Sequence, residues 1–221
     1  MPRKLSSDET LDTFEDEILY TRAAIEADED AADLLTDTDD WLALVDAQRA
    51  RDRSARIAET SASAQRAVAN GRLDDACIRF AKQLALDVPT SSPRWKRFFS
   101  RAPSQWVMQR LVSQIAAVRG WLTIEGDAAL DAHRAVLTRW SDAAQAALDR
   151  TAASAQVRGA AKIGREELAD DLTRERDGLH AALTARATER GLPREWAARF
   201  FRTETRRGDR DADAPGPTPA P

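Results

Sequence analysis

The chain contains the same helical pattern twice. Residues 40–65 match residues 131–156 at a constant offset of 91 positions, and both stretches include the run Ala-Ser-Ala-Gln. Further on the offset grows, which indicates insertions between the copies, and each copy closes on a tryptophan followed by Arg-Phe-Phe, at 95–99 and 196–201. An internal repeat constrains the fold more than any single motif, because each copy must be one supersecondary unit. We therefore expect a tandem duplication.

The hydrophobic periodicity is helical along most of the chain. Apolar residues recur at spacings of three and four, and no convincing strand pattern occurs. The predicted fold is all-α, a tandem duplication of an antiparallel unit of three to four helices. The predicted domains are 1–102, with an acidic N-terminal segment, 103–207, and a disordered tail over 208–221 that is rich in Pro, Gly and Asp.

Capping residues and glycines predict where the helices begin and end. Ser6 and Glu9 form a capping-box pattern ahead of a helix over 7–27. In the first half we predict a long helix over 39–69 that ends at Asn70-Gly71, a helix over 72–87, and a short helix that begins at Ser92-Pro93. In the second half we predict a helix that begins at Pro103-Ser104 and ends at Gly126, followed by a helix with Asp127 as its cap. A turn is predicted at Gly159–Gly164 and a helix end at Gly191.

Charge is unevenly distributed along the chain. Residues 8–40 carry fourteen acidic side chains against one basic side chain, Arg22. Such a segment repels itself, so we expect it to lie against basic surface of its own chain or of a partner. The candidate basic surfaces are the two arginine-rich closing segments, Arg94–Arg101 and Arg194–Arg210.

The sequence offers little catalytic chemistry. Cys77 is the only cysteine and lies on an apolar helical stripe, which suggests a buried, inert thiol in a reducing compartment. Asp177 and His180 have the carboxylate-x-x-His spacing of di-metal bundles, but His133 lacks the matching second motif. We therefore expect no enzyme, cofactor or metal site, and keep a metal-dependent helical-bundle enzyme as the last alternative. We expect a cytoplasmic protein without a transmembrane segment, since the longest apolar runs are short.

The most promising surface candidates are the basic and aromatic closing segments. Basic residues interleaved with aromatic rings can bind nucleic acid by phosphate contact and stacking, or anionic lipid as an amphipathic helix. The simpler interpretation is that the rings plug the bundle while the arginines stay solvated. The candidate residues are Arg94, Trp95, Lys96, Arg97 and Arg101 in the first segment, and Arg199, Arg202 and Arg206 in the second.

These observations favour a non-enzymatic helical interaction or scaffold protein. Its expected partners are other proteins or further copies of itself, and no small-molecule substrate is inferred. The alternative is a nucleic-acid-associated protein that uses the basic-aromatic faces around Arg94–Arg101 and Arg194–Arg210.

Overall fold

A computed structural model describes residues 2–202 of the chain, apart from the side chains of Thr36 and Asp37. Every regular element in this part of the chain is a helix, as the periodicity predicts. None of these helices combines the length and the apolar character that crossing a membrane requires. The helices are α1 (Leu11–Glu26), α2 (Thr36–Asp87), α3 (Pro93–Phe98), α4 (Pro103–Trp106), α5 (Leu111–Leu122) and α6 (Ala128–Arg190), with short 3-10 helices at Ala32–Leu34 and Ala197–Phe200.

The first helix begins later than predicted. Thr10 is its N-cap, because the hydroxyl of Thr10 accepts the backbone N–H of Thr13 at 3.2 Å. The predicted capping contact is present, since the Glu9 carboxylate accepts the N–H of Ser6 at 3.2 Å. This contact closes a turn ahead of α1 rather than starting the helix. The sequence therefore contains two consecutive capping signals, Ser6 with Glu9 and then Thr10, and Thr10 sets the start of α1.

Helices α2 and α6 continue through the glycines where breaks were predicted, so the predicted ends at Gly71, Gly159 and Gly164 are wrong. One glycine inside a helix costs only about 1 kcal/mol, which packing of the helix against its neighbours outweighs. Among the described residues, positive φ angles occur only at Gly126 (72°) and Gly191 (67°). Those two glycines lie outside the helices, at the stops that were predicted.

Gly164 serves close packing rather than chain reversal. A Cβ atom built at this position would lie 2.8 Å from Oε1 of Gln48 on α2. The Gln48 amide donates to the carbonyl oxygen of Ala161 at 2.8 Å, which ties α2 to α6 at this level. A side chain at position 164 would therefore require Gln48 to shift.

The helix predicted from Pro103 to residue 122 is instead two helices, α4 and α5. Gln114 explains the interruption, because its buried amide donates to the carbonyl oxygens of Val107 (2.7 Å) and Gln109 (3.2 Å). Those carbonyls lie in the connecting segment and are satisfied by a side chain instead of by helical N–H groups.

The contacts divide the chain into two compact units. Unit 1 consists of residues 1–53 and 160–221, and unit 2 consists of residues 54–159. Because α2 and α6 each contribute to both units, the boundary predicted between residues 102 and 103 falls inside unit 2.

Each unit has its own hydrophobic core. The core of unit 1 joins α1 to the first part of α2 and the last part of α6, and its largest members include Phe14, Ile18, Trp41, Leu172, Leu183, Trp196 and Phe200. The core of unit 2 joins α3, α4 and α5 to the last part of α2 and the first part of α6, and it includes Leu73, Phe80, Trp95, Phe98, Val118, Trp121, Leu130 and Leu137.

In part of unit 2, α2 and α6 pack against each other through small side chains. We call this contact the alanine seam. Ala55, Ala62 and Ala69 of α2 are buried at seven-residue intervals, and Ala147 and Ser154 of α6 are buried with the same spacing. This spacing is that of an antiparallel coiled coil closed by small side chains. The direction follows from two contacts across the seam, in which Arg158 meets Glu59 and Arg150 meets Gln65.

Candidate interaction surface

The aromatic side chains of both closing segments are buried, which confirms the interpretation that they plug the cores. Ser92 caps α3 by accepting the N–H of Trp95 at 3.1 Å, and Pro93 occupies the first turn as predicted. Trp95 and Trp196 are 6% and 5% exposed. The same holds for the phenylalanines that follow each of them, Phe98, Phe99, Phe200 and Phe201.

The aromatic rings of the first closing segment contact one another and their neighbours. The Trp106 and Trp121 ring centroids lie 4.9 Å apart, and Phe98 meets Phe80 edge to face at 5.0 Å. Such pairs stabilise a core beyond their buried area. The rings of α3 and Trp106 are therefore occupied within unit 2 and present no open face on which a nucleic-acid base could stack.

The basic residues of the first segment divide into one structural residue and three exposed ones. Arg94 donates twice to the buried carboxylate of Asp127, at 2.9 and 2.7 Å. This contact holds the pKa of Asp127 below its ordinary value, and Asp127 also caps α6 through the N–H of Leu130. Lys96, Arg97 and Arg101 are exposed and form no ion pair with any described residue.

The second closing segment presents fewer basic residues within residues 2–202. Arg199 is exposed, and its carbonyl oxygen accepts the hydroxyl of Tyr20 at 3.4 Å. Arg202 approaches the carboxylate of Asp16 at 3.8 Å. Arg194 is exposed, whereas Arg206, Arg207 and Arg210 lie outside the described residues, as does the predicted tail.

The acidic N-terminal segment lies against basic surface of its own chain, but mostly not against the closing segments. Its partners are instead arginines of the two long helices. The Arg49 guanidinium bridges Asp12 and Glu15 at 2.8 and 2.6 Å, while Arg186 pairs with Asp33 and Arg190 with Asp30. All of these pairs lie within unit 1.

One ion pair of the acidic segment is fully buried. Nη2 of Arg176 donates to Glu17 at 2.7 Å, and both side chains are almost completely excluded from solvent. Arg3 donates to the other oxygen of Glu17 at 3.1 Å, and the Arg176 guanidinium lies 5.7 Å from the ring of Phe201. Burial lowers the pKa of Arg176, and the adjacent carboxylate opposes that shift. The pair joins α1 to α6 within unit 1.

Of the residues considered for catalysis or metal binding, Cys77 is buried in the core of unit 2, and His133, Asp177 and His180 are half-buried. The His133 ring lies 5.9 Å from Phe80 and the His180 ring 5.7 Å from Phe201, and burial lowers the pKa of both imidazoles. Burial also raises the pKa of the Cys77 thiol. Among residues 2–202, no group of three or more His, Cys, Asp or Glu side chains is placed to hold a metal ion.

Beside the alanine seam, unit 2 presents an apolar surface that the sequence interpretation missed. Ile57 and Val68 of α2 are 59% and 62% exposed, and Val157 of α6 is 46% exposed. Small residues, also exposed, separate them on the same side of the two helices. We call this surface the open face and define it as Ile57, Ser61, Ala64, Val68, Ala153 and Val157.

Helical geometry places these residues on one side of the seam. Ile57 and Val68 lie eleven positions apart on α2, which is close to three full turns. Gln65 and Arg150 each follow a seam residue by three positions, and Arg150 donates to Gln65 at 2.9 Å. The sides of α2 and α6 that carry these two residues therefore coincide, and Ala153 and Val157 lie on that side of α6.

The sequence contained a signal for the open face. Spacings of seven and four separate Ile57, Ala64 and Val68, which places them on one side of α2. The seam alanines lie on a different side of the same helix. Comparison with protein-family models, with curated proteins and with solved structures found no match for this chain.

Proposed function

We propose that the protein is a non-enzymatic helical protein that assembles with protein partners or with itself. The observation that carries the proposal is the open face, where large apolar side chains stay exposed beside a seam of small residues. Contiguous exposed apolar surface of this kind is typical of protein contact sites. The proposed compartment is the cytoplasm, which suits a chain whose one cysteine is a free, buried thiol.

The proposal includes a tandem duplication, with one copy in residues 1–102 and the other in residues 103–207. Each copy has a short helix, a long helix and a closing segment, which are α1, α2 and α3 in the first and α5, α6 and Ala197–Phe200 in the second. Further support comes from the units. Unit 1 combines the beginning of α2 with the end of α6 and the closing segment that follows α6. Unit 2 combines the beginning of α6 with the end of α2 and the closing segment that follows α2.

Site-specific photocrosslinking in the native host tests the proposed function. A photoreactive amino acid replaces Val68 on the open face, and the matched control replaces Leu86, which is 81% exposed on the same helix but lies roughly 27 Å further along it. We expect irradiation to give discrete protein adducts from position 68 and none of the same size from position 86. Identical adduct patterns from both positions, or none from either, would contradict the assignment of the open face.

The second candidate is nucleic-acid association, which one observation favours. Unit 2 contains fifteen basic and nine acidic side chains, a net charge of +6, and Lys96, Arg97 and Arg101 are exposed on it. Binding through phosphate contacts weakens steeply as salt concentration rises. A salt titration of DNA and RNA binding separates the candidates, with a variant in which these three side chains become glutamate as the control. Absence of binding at low salt rules this candidate out.

A further inference from the structure

Two buried acceptor atoms where α2 meets α5 lack a hydrogen-bond donor. They are Oδ1 of Asp74 and Oε1 of Gln114, and neither has a partner among the described residues. The Gln114 side chain is fully buried, and its amide lies within hydrogen-bonding reach of the Asp74 carboxyl. A buried acceptor without a donor is costly, and native proteins keep few of them.

The Gln114 amide has more acceptors around it than hydrogens to give. Its nitrogen carries two hydrogens, and it donates to the carbonyl oxygens of Val107 (2.7 Å) and Gln109 (3.2 Å). The other oxygen of Asp74 accepts from Nδ2 of Asn70 at 3.0 Å. Oδ1 of Asp74 is therefore a third acceptor for two hydrogens. A proton on Asp74 removes the conflict, because a neutral carboxyl group is itself a donor.

We propose that Asp74 and Gln114 form a proton-dependent latch on residues 107–110, the segment that joins α4 to α5. With Asp74 neutral, its hydroxyl donates to Oε1 of Gln114, and the Gln114 amide holds the carbonyls of Val107 and Gln109. With Asp74 ionised, the carboxylate attracts the amide more strongly than a carbonyl does. Gln114 then turns to Asp74 and releases the segment.

The surroundings of Asp74 favour its neutral form. Burial raises the pKa of Asp74, the Gln114 amide opposes that rise, and the adjacent Asp75 carboxylate adds to it. The other titratable group of α2 that faces Asp74 is the Cys77 thiol, whose own pKa is raised by burial and by the Asp74 carboxylate. From α5 the facing group is the uncharged Gln114 amide. Asp127 is the contrast within unit 2, since a guanidinium lowers its pKa.

The latched segment lies at the surface of unit 2. Met108 is 84% exposed, and Arg110, the N-cap of α5, is also exposed. Gln114 lies in the first turn of α5, where its backbone N–H donates to the carbonyl oxygen of Arg110 at 3.1 Å. Release of the segment therefore also loosens the start of α5, and a proton on one buried carboxyl changes which surface unit 2 presents.

Asp74→Asn tests the proton dependence, because an amide resembles the neutral carboxyl group and cannot ionise. The urea midpoint of this variant should equal that of the wild type below about pH 4. It should exceed the wild-type midpoint increasingly as the pH rises through the raised pKa of Asp74, since only the wild type must then ionise a buried group. Asp75→Asn removes the same charge from the next, exposed position and should reproduce little of this gain.

Trypsin cleavage after Arg110 at pH 8 reports release of the segment. Cleavage after Arg66, in the middle of α2, serves as the reference that separates local release from unfolding of the whole unit. Relative to this reference, Asp74→Asn should be cleaved on the order of tenfold more slowly than the wild type. A proton that binds one state tenfold more tightly shifts the ratio of the two states by the same factor.

Gln114→Ala is the matched control for the latch. Without the amide the segment is not held, so cleavage after Arg110 should be at least as fast as in the wild type, with or without Asp74→Asn. Equal cleavage of the wild type and Asp74→Asn would overturn the latch. A stability difference between these two proteins that is the same at pH 4 and pH 8 would overturn it as well. Neither measurement involves the open face, so the proposed function does not depend on the outcome.

Discussion

Replacing Gly71 by alanine tests whether α2 is one continuous helix. The backbone at Gly71 has a negative φ, and a Cβ atom there would meet no atom within 4 Å. Alanine therefore adds no clash, and it removes the conformational freedom that glycine has in the unfolded chain. The expected gain in the free energy of unfolding is about 0.5–1 kcal/mol.

The opposite result is expected if the helix ended at Asn70-Gly71. A glycine at a helix end adopts a left-handed conformation, and alanine in that position destabilises by about 1 kcal/mol. Gly191 is the matched control, because it has a φ of 67° just after α6. The two variants should shift the urea midpoint in opposite directions.

Gly164→Ala provides an internal comparison. Its φ is also negative, but the added Cβ would lie 2.8 Å from the Gln48 side chain, so the gain seen at Gly71 should be reduced or reversed. The assay is urea denaturation followed by circular dichroism at 222 nm. A lowered midpoint for Gly71→Ala would refute the continuous helix.

Two further substitutions test the closing segments. Trp196→Ala removes a ring that is 5% exposed in the core of unit 1 and should cost about 3–5 kcal/mol, seen as a clear fall in melting temperature; an unchanged value would show that the ring is not a core residue. Asp127→Asn weakens the contact with Arg94 and should cost about 1–2 kcal/mol at pH 7. Because the folded state lowers the pKa of Asp127, the difference from wild type should be full above about pH 5, shrink as the pH falls through about 4, and vanish only below the lowered pKa of the folded state. A pH-independent difference would show that the charge does not matter.

Several local features could be read from the sequence because short-range chemistry decides them. The pairing of Ser92 with Pro93, the cap at Asp127 and the stop at Gly191 each depend on groups within a few residues. Burial of the Trp and Phe-Phe positions in the two closing segments followed from their apolar character. Several large apolar side chains close together in a sequence are stabilised most when a core buries them.

Other features depended on which distant parts of the chain pack against each helix, and these contacts could not be derived from one segment of the sequence. The sequence predicted that the acidic segment lies against basic surface of its own chain or of a partner, with the closing segments as the candidates. Its arginine partners, such as Arg49 and Arg186, lie instead on α2 and α6. The open face was missed for the same reason. Periodicity shows that Ile57 and Val68 share a side of α2, but it does not show whether the chain covers that side.

The sequence alone therefore determined the helical class, the caps and the apolar closing segments, since these depend on local hydrogen bonds and on hydrophobic content. The tertiary structure decided the lengths of α2 and α6 and which of their faces stay open. A glycine costs a helix about 1 kcal/mol, and packing against a neighbouring helix returns more than that. Whether such a neighbour is present at Gly71 or Gly164 is a property of the assembled fold, so no reading of the residues around each glycine could supply it.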